Sequence, residues 1–108
     1  MPSYYMSEDL PRFGEVGDAS PQLFDAFNKW YADAMAPGAL DAKTKKLIAF
    51  AVAHAIQCAY CIDAYAGSGS QSGITPEEMT EAVHVAAAIR AGSSLIHNVQ
   101  ALNTWKRD

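Results

Sequence analysis

In Leu47-Ile48-Ala49-Phe50-Ala51-Val52-Ala53-His54-Ala55-Ile56-Gln57-Cys58-Ala59-Tyr60-Cys61-Ile62-Asp63-Ala64-Tyr65, apolar residues fall on most sides of a helical wheel as far as Ile56. The chain's two cysteines follow as a Cys-x-x-Cys. A segment apolar around most of its circumference is expected to be a central, buried helix. Either this helix runs on to about residue 66, or it breaks near Gln57-Cys58 and restarts, and the break is the favoured reading. The restart would put Cys58 near a new helix N-terminus, where free N–H groups and the helix dipole favour a thiolate.

Upstream, Asp41 is the expected N-cap of this helix. Lys43, Lys45 and Lys46 sit in its first turns, where the dipole disfavours cations, a mild local misfit. Pro37-Gly38 ends the preceding segment. There Leu23, Phe24, Phe27, Trp30, Tyr31 and Ala34 recur at helical spacing behind Ser20-Pro21, which predicts a helix over 21–35. Residues 1–20 read as an irregular arm packed on the body, punctuated by Pro2, Pro11, Gly14 and Gly17 and anchored by Tyr4, Tyr5, Leu10 and Phe13.

Downstream, Gly67–Gly73 is rich in glycine and serine and is expected to fray or end its segment. Thr75-Pro76-Glu77-Glu78 is a capping box with proline at the first helical position, and Ile74 and Met79 are placed to form a hydrophobic staple. Met79, Ala82, Val83, Ala86 and Ile89 then mark an inner face. Gly92-Ser93 reads as a break before a last helix over 94–105, with Leu95, Ile96, Val99 and Leu102 apolar. No strand alternation appears. The expected class is all-α, with about five helices.

The 108 residues are half hydrophobic and 19% charged, with a formal net charge of -4. That composition is globular, and the acidic balance argues against a nucleic-acid surface. No run approaches the ~20 apolar residues of a membrane span, and no signal peptide is visible. A single cysteine pair is too sparse for a secreted disulfide scaffold, so the expected location is cytoplasmic.

A Cys-x-x-Cys brings two sulfurs close enough to cycle between dithiol and disulfide. Two rival uses stay open. The cysteines are small buried hydrophobes, or they ligate zinc, which needs two more ligands from among His54, His84 and His97. His54, four residues before Cys58, is the best base on offer, or else a core histidine bonded to a carbonyl. Tyr65 stands four after Cys61, and Tyr60 lies between the cysteines. With a phenol pKa near 10, both are poor bases at neutral pH.

Lys43-Thr44-Lys45-Lys46-Leu47-Ile48-Ala49-Phe50-Ala51-Val52-Ala53-His54, Cys58-Ala59-Tyr60-Cys61-Ile62-Asp63-Ala64, Gly73–Met79 and Glu81–Gly92 together resemble the carboxymuconolactone decarboxylase / AhpD-like alkylhydroperoxidase superfamily. The resemblance covers about residues 20–105 and is nearest to the small peroxidase-like proteins associated with arsenosugar biosynthesis. It implies an AhpD-like helical domain over 21–108 behind the 1–20 arm. It also implies a homo-oligomer (dimer, trimer or hexamer) and thiol-dependent hydroperoxide reduction of the peroxiredoxin type. No resident cofactor or metal is implied, and an external dithiol supplies electrons. The superfamily's relay has a Glu twelve before the first cysteine, a His between the cysteines and a His four after the second. Here those positions hold Lys46, Tyr60 and Tyr65. Cys58 and Cys61 carry over, and His54, with His84 or His97, is left to replace the relay. Family precedent makes Cys61 the attacking sulfur, whereas a helix start favours Cys58. The alternative to catalysis is a binding protein, with a pocket lined by Tyr60, Tyr65, His54 and His97, or with the dithiol capturing a soft metal or arsenical.

Overall fold

The computed structural model describes residues 4–67 and 73–107. Five helical elements follow one another, and there is no strand among the described residues. A 3-10 helix, Ser7–Gly17, forms the arm, and α1 (Pro21–Met35), α2 (Ala42–Ala55), α3 (Ala59–Gly67) and α4 (Pro76–Trp105) form the body. The class and the number of elements are as expected, but the five are not the same five. The arm is helical rather than irregular, and α4 runs through Gly92-Ser93 without a break. One glycine costs a helix interior about 1 kcal/mol, and α4 continues through it from a fully capped first turn. The fraying expected over Gly67–Gly73 falls, for 68–72, outside the described residues. Gly67 is the last residue of α3, and Gly73 adopts a left-handed φ of 75°.

Local chemistry sets the helix starts. The Asp41 carboxylate accepts from Thr44 N–H (2.7 Å), which holds its pKa below the usual range. Thr75 and Glu78 close a full capping box, with Glu78 N–H on Thr75 Oγ1 (3.1 Å) and Thr75 N–H on Glu78 Oε1 (2.9 Å). Ser20 takes the N-cap position of α1 without a side-chain cap. The lysines at the start of α2 are not a misfit, because two of them bind outward. Lys43 pairs with Glu78 (2.8 Å), tying α2 to α4. Lys45 donates to the Ala34 carbonyl (2.9 Å) and to that of Ala36, where the carbonyls at the end of α1 lack helical partners.

The α2–α3 corner is a Schellman motif. Gln57 N–H donates to His54 O (3.1 Å) and Cys58 N–H to Ala53 O (2.9 Å), with Gln57 in the left-handed region at φ 57°. Small residues let α2 and α4 approach, and Ala53 and Ala86 are buried between them with Phe50 nearby. The expectation of a wholly buried α2 is corrected here. Ile48, Val52 and Ile56, one stripe at four-residue spacing, are half-exposed or more. Apolarity predicted burial, but this chain alone does not supply the cover.

The arm docks at two places. Phe13 lies against Phe24 and Phe27 of α1, with ring centroids 5.3 and 6.2 Å apart. Gly17 sits so close to Phe24 that a Cβ would stand 2.7 Å from the ring. At its other end Tyr5 donates its hydroxyl proton to the Asp63 carboxylate of α3 and sets its ring edge-on to Tyr60 at 4.6 Å.

Two outcomes follow from these contacts. Gln57 already bears the roughly 1–2 kcal/mol cost of a left-handed side chain, so Gln57→Gly should raise stability in urea unfolding by up to that amount, and Gln57→Val, a β-branched residue that tolerates positive φ worst, should lower it. The bond to Asp63 pushes the Tyr5 hydroxyl up to about 12. A pKa raised on folding stabilises below the ordinary value and is lost as pH rises through the folded one. Arm docking should therefore be intact below pH ~10 and released toward 12. Tyr5→Phe should remove one late step from a 295 nm absorbance titration and speed proteolytic cleavage of the arm at neutral pH.

Candidate functional site

Cys58 and Cys61 are bonded as a disulfide, with Cα atoms 5.2 Å apart, at the corner where α2 ends and α3 begins. Both are half-buried. The corner dictates their geometry. Having closed the Schellman motif with its N–H, Cys58 becomes the cap of α3. Its carbonyl accepts from Ile62 N–H (2.9 Å), and its sulfur accepts from Cys61 N–H (3.2 Å). The second bond puts sulfur where Ser or Asp oxygen usually caps a helix. A helix start with the Cys58 sulfur on it is thus present as expected, and the partial positive charge of the α3 N-terminus faces that sulfur. No acidic residue lies in the first turn of α3 to oppose it.

The other expected site residues are dispersed. Because α2 stops at Ala55, His54 and Cys58 no longer share one helix face, and the i−4 geometry fails. His54 Nδ1 donates to the Phe50 carbonyl (2.8 Å), and its ring packs on Phe50 at 4.5 Å. A carbonyl only accepts, so neutral His54 carries its proton on Nδ1 and offers Nε2 as the base. Its cavity, about 340 Å³, is lined by Ala55, Gln57, Val83, Ala86, Ala87 and Arg90. The expected pocket of His54 with Tyr60, Tyr65 and His97 does not form there, since those three are not among its walls. Tyr65 does stand one turn after Cys61 within α3, and Tyr60 is held by Tyr5 instead of facing a relay partner. His84 and His97 share the unbroken α4, both exposed, and thirteen helical residues put them ~20 Å apart along its axis. They do not converge on the sulfurs together. Lys46 is half-buried on α2, two turns and ~12 Å along the axis from His54. Among the described residues, no group of three or more His, Cys, Asp or Glu side chains is placed to hold a metal.

At this corner Arg90 and Asp63 escaped the reading of the sequence, while Gln57, read as a break, and Tyr5, read as an arm anchor, take parts more specific than those read. Gln57 supplies the left-handed step, a place where glycine or asparagine is the usual signal. Arg90 Nη1 donates to the Ala55 carbonyl at the end of α2, across 35 residues. Its only sequence mark is that it is a lone cation beside an alanine-rich helix face. Tyr5 and Asp63 meet across 58 residues, and neither belongs to a local pattern.

Comparison with known proteins agrees with this architecture. Residues 21–104 match the carboxymuconolactone decarboxylase family. A protein of Paracoccus denitrificans named uncharacterized protein 4 in cox locus is 43% identical over 89 residues, which is 82% of this chain and 80% of that one. An uncharacterized protein of Haemophilus influenzae is 36% identical over 93 residues, 86% of this chain and 82% of the other. Among solved structures, a carboxymuconolactone decarboxylase family protein from Legionella pneumophila superposes with a TM-score of 0.71 at 33% identity, covering 90% of this chain and 88% of its own. A structural-genomics target from Methanobacterium thermoautotrophicum gives 0.72 at 32%, covering 79% and 94%. The all-helical fold, the matched span and these identities together place the chain in the carboxymuconolactone decarboxylase family.

Proposed function

We propose that this protein is a thiol-dependent peroxidase of the peroxiredoxin type, working as a homo-oligomer in the cytoplasm, with Cys58 as the attacking sulfur and Cys61 as the resolving one. The observation that supports this reading is the Cys61 N–H bond to the Cys58 sulfur, beside a disulfide that joins the same two atoms. In the dithiol form the same amide and the α3 dipole favour negative charge on Cys58 and lower its pKa. The Cys58 thiolate attacks the outer oxygen of a hydroperoxide, and the O–O bond breaks. The alcohol leaves with a proton, and sulfur becomes a sulfenic acid. Cys61 then gives its proton to the departing hydroxide as it attacks that sulfur, so water leaves and the disulfide forms. An external dithiol takes the disulfide back to two thiols by exchange and is itself oxidised. The proton for the leaving alkoxide comes from solvent, from Tyr60 or Tyr65, or from His54, whose cavity reaches Gln57 beside Cys58. Family precedent assigns attack to Cys61, and the helix cap is the reason for preferring Cys58.

The test uses dithiothreitol as reductant and cumene hydroperoxide as oxidant. Wild type should consume peroxide well above the rate of the Cys58→Ser/Cys61→Ser variant. In Cys61→Ser, a dimedone adduct should form on Cys58, and the 240 nm thiolate absorbance should titrate below the free-thiol value of about 8.5. Cys58→Ser should lose at least tenfold in rate. A dimedone adduct on Cys61 at undiminished rate in Cys58→Ser would move attack to Cys61 and overturn the assignment. A wild-type rate no faster than the double variant overturns the peroxidase itself.

A further inference from the structure

α3 is the shortest helix of the body, nine residues, Ala59–Gly67. It carries Cys61, whose N–H bonds the Cys58 sulfur. A helix of that length is marginal in water unless something packs on it. Its main supports are α2, across the corner, and the arm. The arm reaches it through Tyr5, whose hydroxyl bonds the Asp63 carboxylate and whose ring stands edge-on to Tyr60. Tyr5 lies outside the span that matches the family, residues 21–104.

Tyr60 and Asp63 stand three residues apart, and so do Cys58 and Cys61. Residues at that spacing share one face of a helix, with Cα atoms ~5 Å apart. The two bonded cysteines are 5.2 Å apart. The disulfide therefore closes on a turn with helical dimensions. Tyr5 clamps the overlapping turn from a position two residues, ~200°, further round the axis. Fixing the first turn is the costly part of making a helix. Either tie meets that cost, so each makes the other easier to form.

We propose that Tyr5 is a positioning residue for the cysteine pair: by bridging Tyr60 and Asp63 it holds the start of α3 in the geometry in which the sulfurs join, so that the docked arm and the disulfide stabilise each other. Whatever factor docking adds to the stability of the disulfide, the disulfide adds to docking. Reduction by an external dithiol breaks the S–S bond, leaves a proton on each sulfur and oxidises the dithiol to its own disulfide. The turn then keeps the Tyr5 tie alone, and the arm opens more often. The inference needs the Cys58–Cys61 disulfide and stands apart from the peroxidase reading.

The test equilibrates the full chain with dithiothreitol and its cyclic disulfide over a series of ratios and reads free thiols by maleimide mass shift. Tyr5→Phe keeps the ring and loses the bond to Asp63. A ratio of reduced to oxidised dithiothreitol about fivefold smaller should then half-reduce the pair, the low end of ordinary coupling between two sites. Asp63→Ala should do the same, and the two substitutions together should shift the ratio no further than one alone, because they remove one bond. Glu78→Ala, which breaks the tie to Lys43 at the other end of α2, should lower unfolding stability and leave the ratio in place. In wild type, reduction should speed chymotrypsin cleavage at Tyr5-Met6 by a similar factor. The reductant should leave the cleavage rate of Cys58→Ser/Cys61→Ser unchanged. A Tyr5→Phe ratio within about twofold of wild type, or a shift toward the disulfide, overturns the proposal. So does an equal shift in Glu78→Ala, or a wild-type arm cleaved equally fast in both redox states.

Discussion

The Cys58 N–H donates back into α2, to the Ala53 carbonyl, while the Cys58 carbonyl and sulfur receive N–H groups from α3. One residue thus closes one helix and opens the next, and the corner has no spare length. Its direction fixes where α3 points, and therefore where Tyr60 and Asp63 stand to receive Tyr5. It also puts His54 and the cysteines on either side of the turn, His54 in α2 and Cys61 in α3. The same Ala53 whose carbonyl takes that bond is buried against α4 at 2% exposure. The disulfide is consequently braced against the most buried residue among those described, although both cysteines are only half-buried themselves.

The family fold here carries an altered set of proton-transfer groups. The resemblance implies a carboxylate and two imidazoles where this chain has Lys46, Tyr60 and Tyr65, and the ring nitrogens seen bonded among the described residues, His54 Nδ1 on the Phe50 carbonyl and His97 Nδ1 on that of Ser93, hold to their own helices. The groups seen on the Cys58 sulfur are backbone and dipole: an amide at 3.2 Å and the start of a nine-residue helix. Such groups stabilise a thiolate without shuttling a proton. A site built this way activates the sulfur more readily than it protonates a leaving group.

Much of this was legible where the signal is local. Thr75-Pro76-Glu77-Glu78 announces a helix start because each atom of a capping box lies within four residues. The break before Cys58 was one of two readings the sequence allowed, since Gln57 carries no local mark of a left-handed step. Gly92-Ser93 misled because a glycine's cost near 1 kcal/mol is not by itself a break, and α4 runs on through it. The arm's 3-10 turns, Arg90 on Ala55, and Tyr5 on Asp63 had no local signal, since each depends on partners that only the tertiary fold brings near. The stripe Ile48–Val52–Ile56 was read correctly as apolar and incorrectly as covered, since periodicity tells which face seeks burial and not which molecule provides it.

Arg90 gives the corner one more property. The end of α2 carries roughly half a negative charge, and it ends three residues before Cys58. Left alone, that end would cancel much of the positive field from the α3 start. The Arg90 guanidinium is bonded to the Ala55 carbonyl and neutralises it there. Of two abutting helix ends of opposite sign, the negative one is thereby the one met by a full cation.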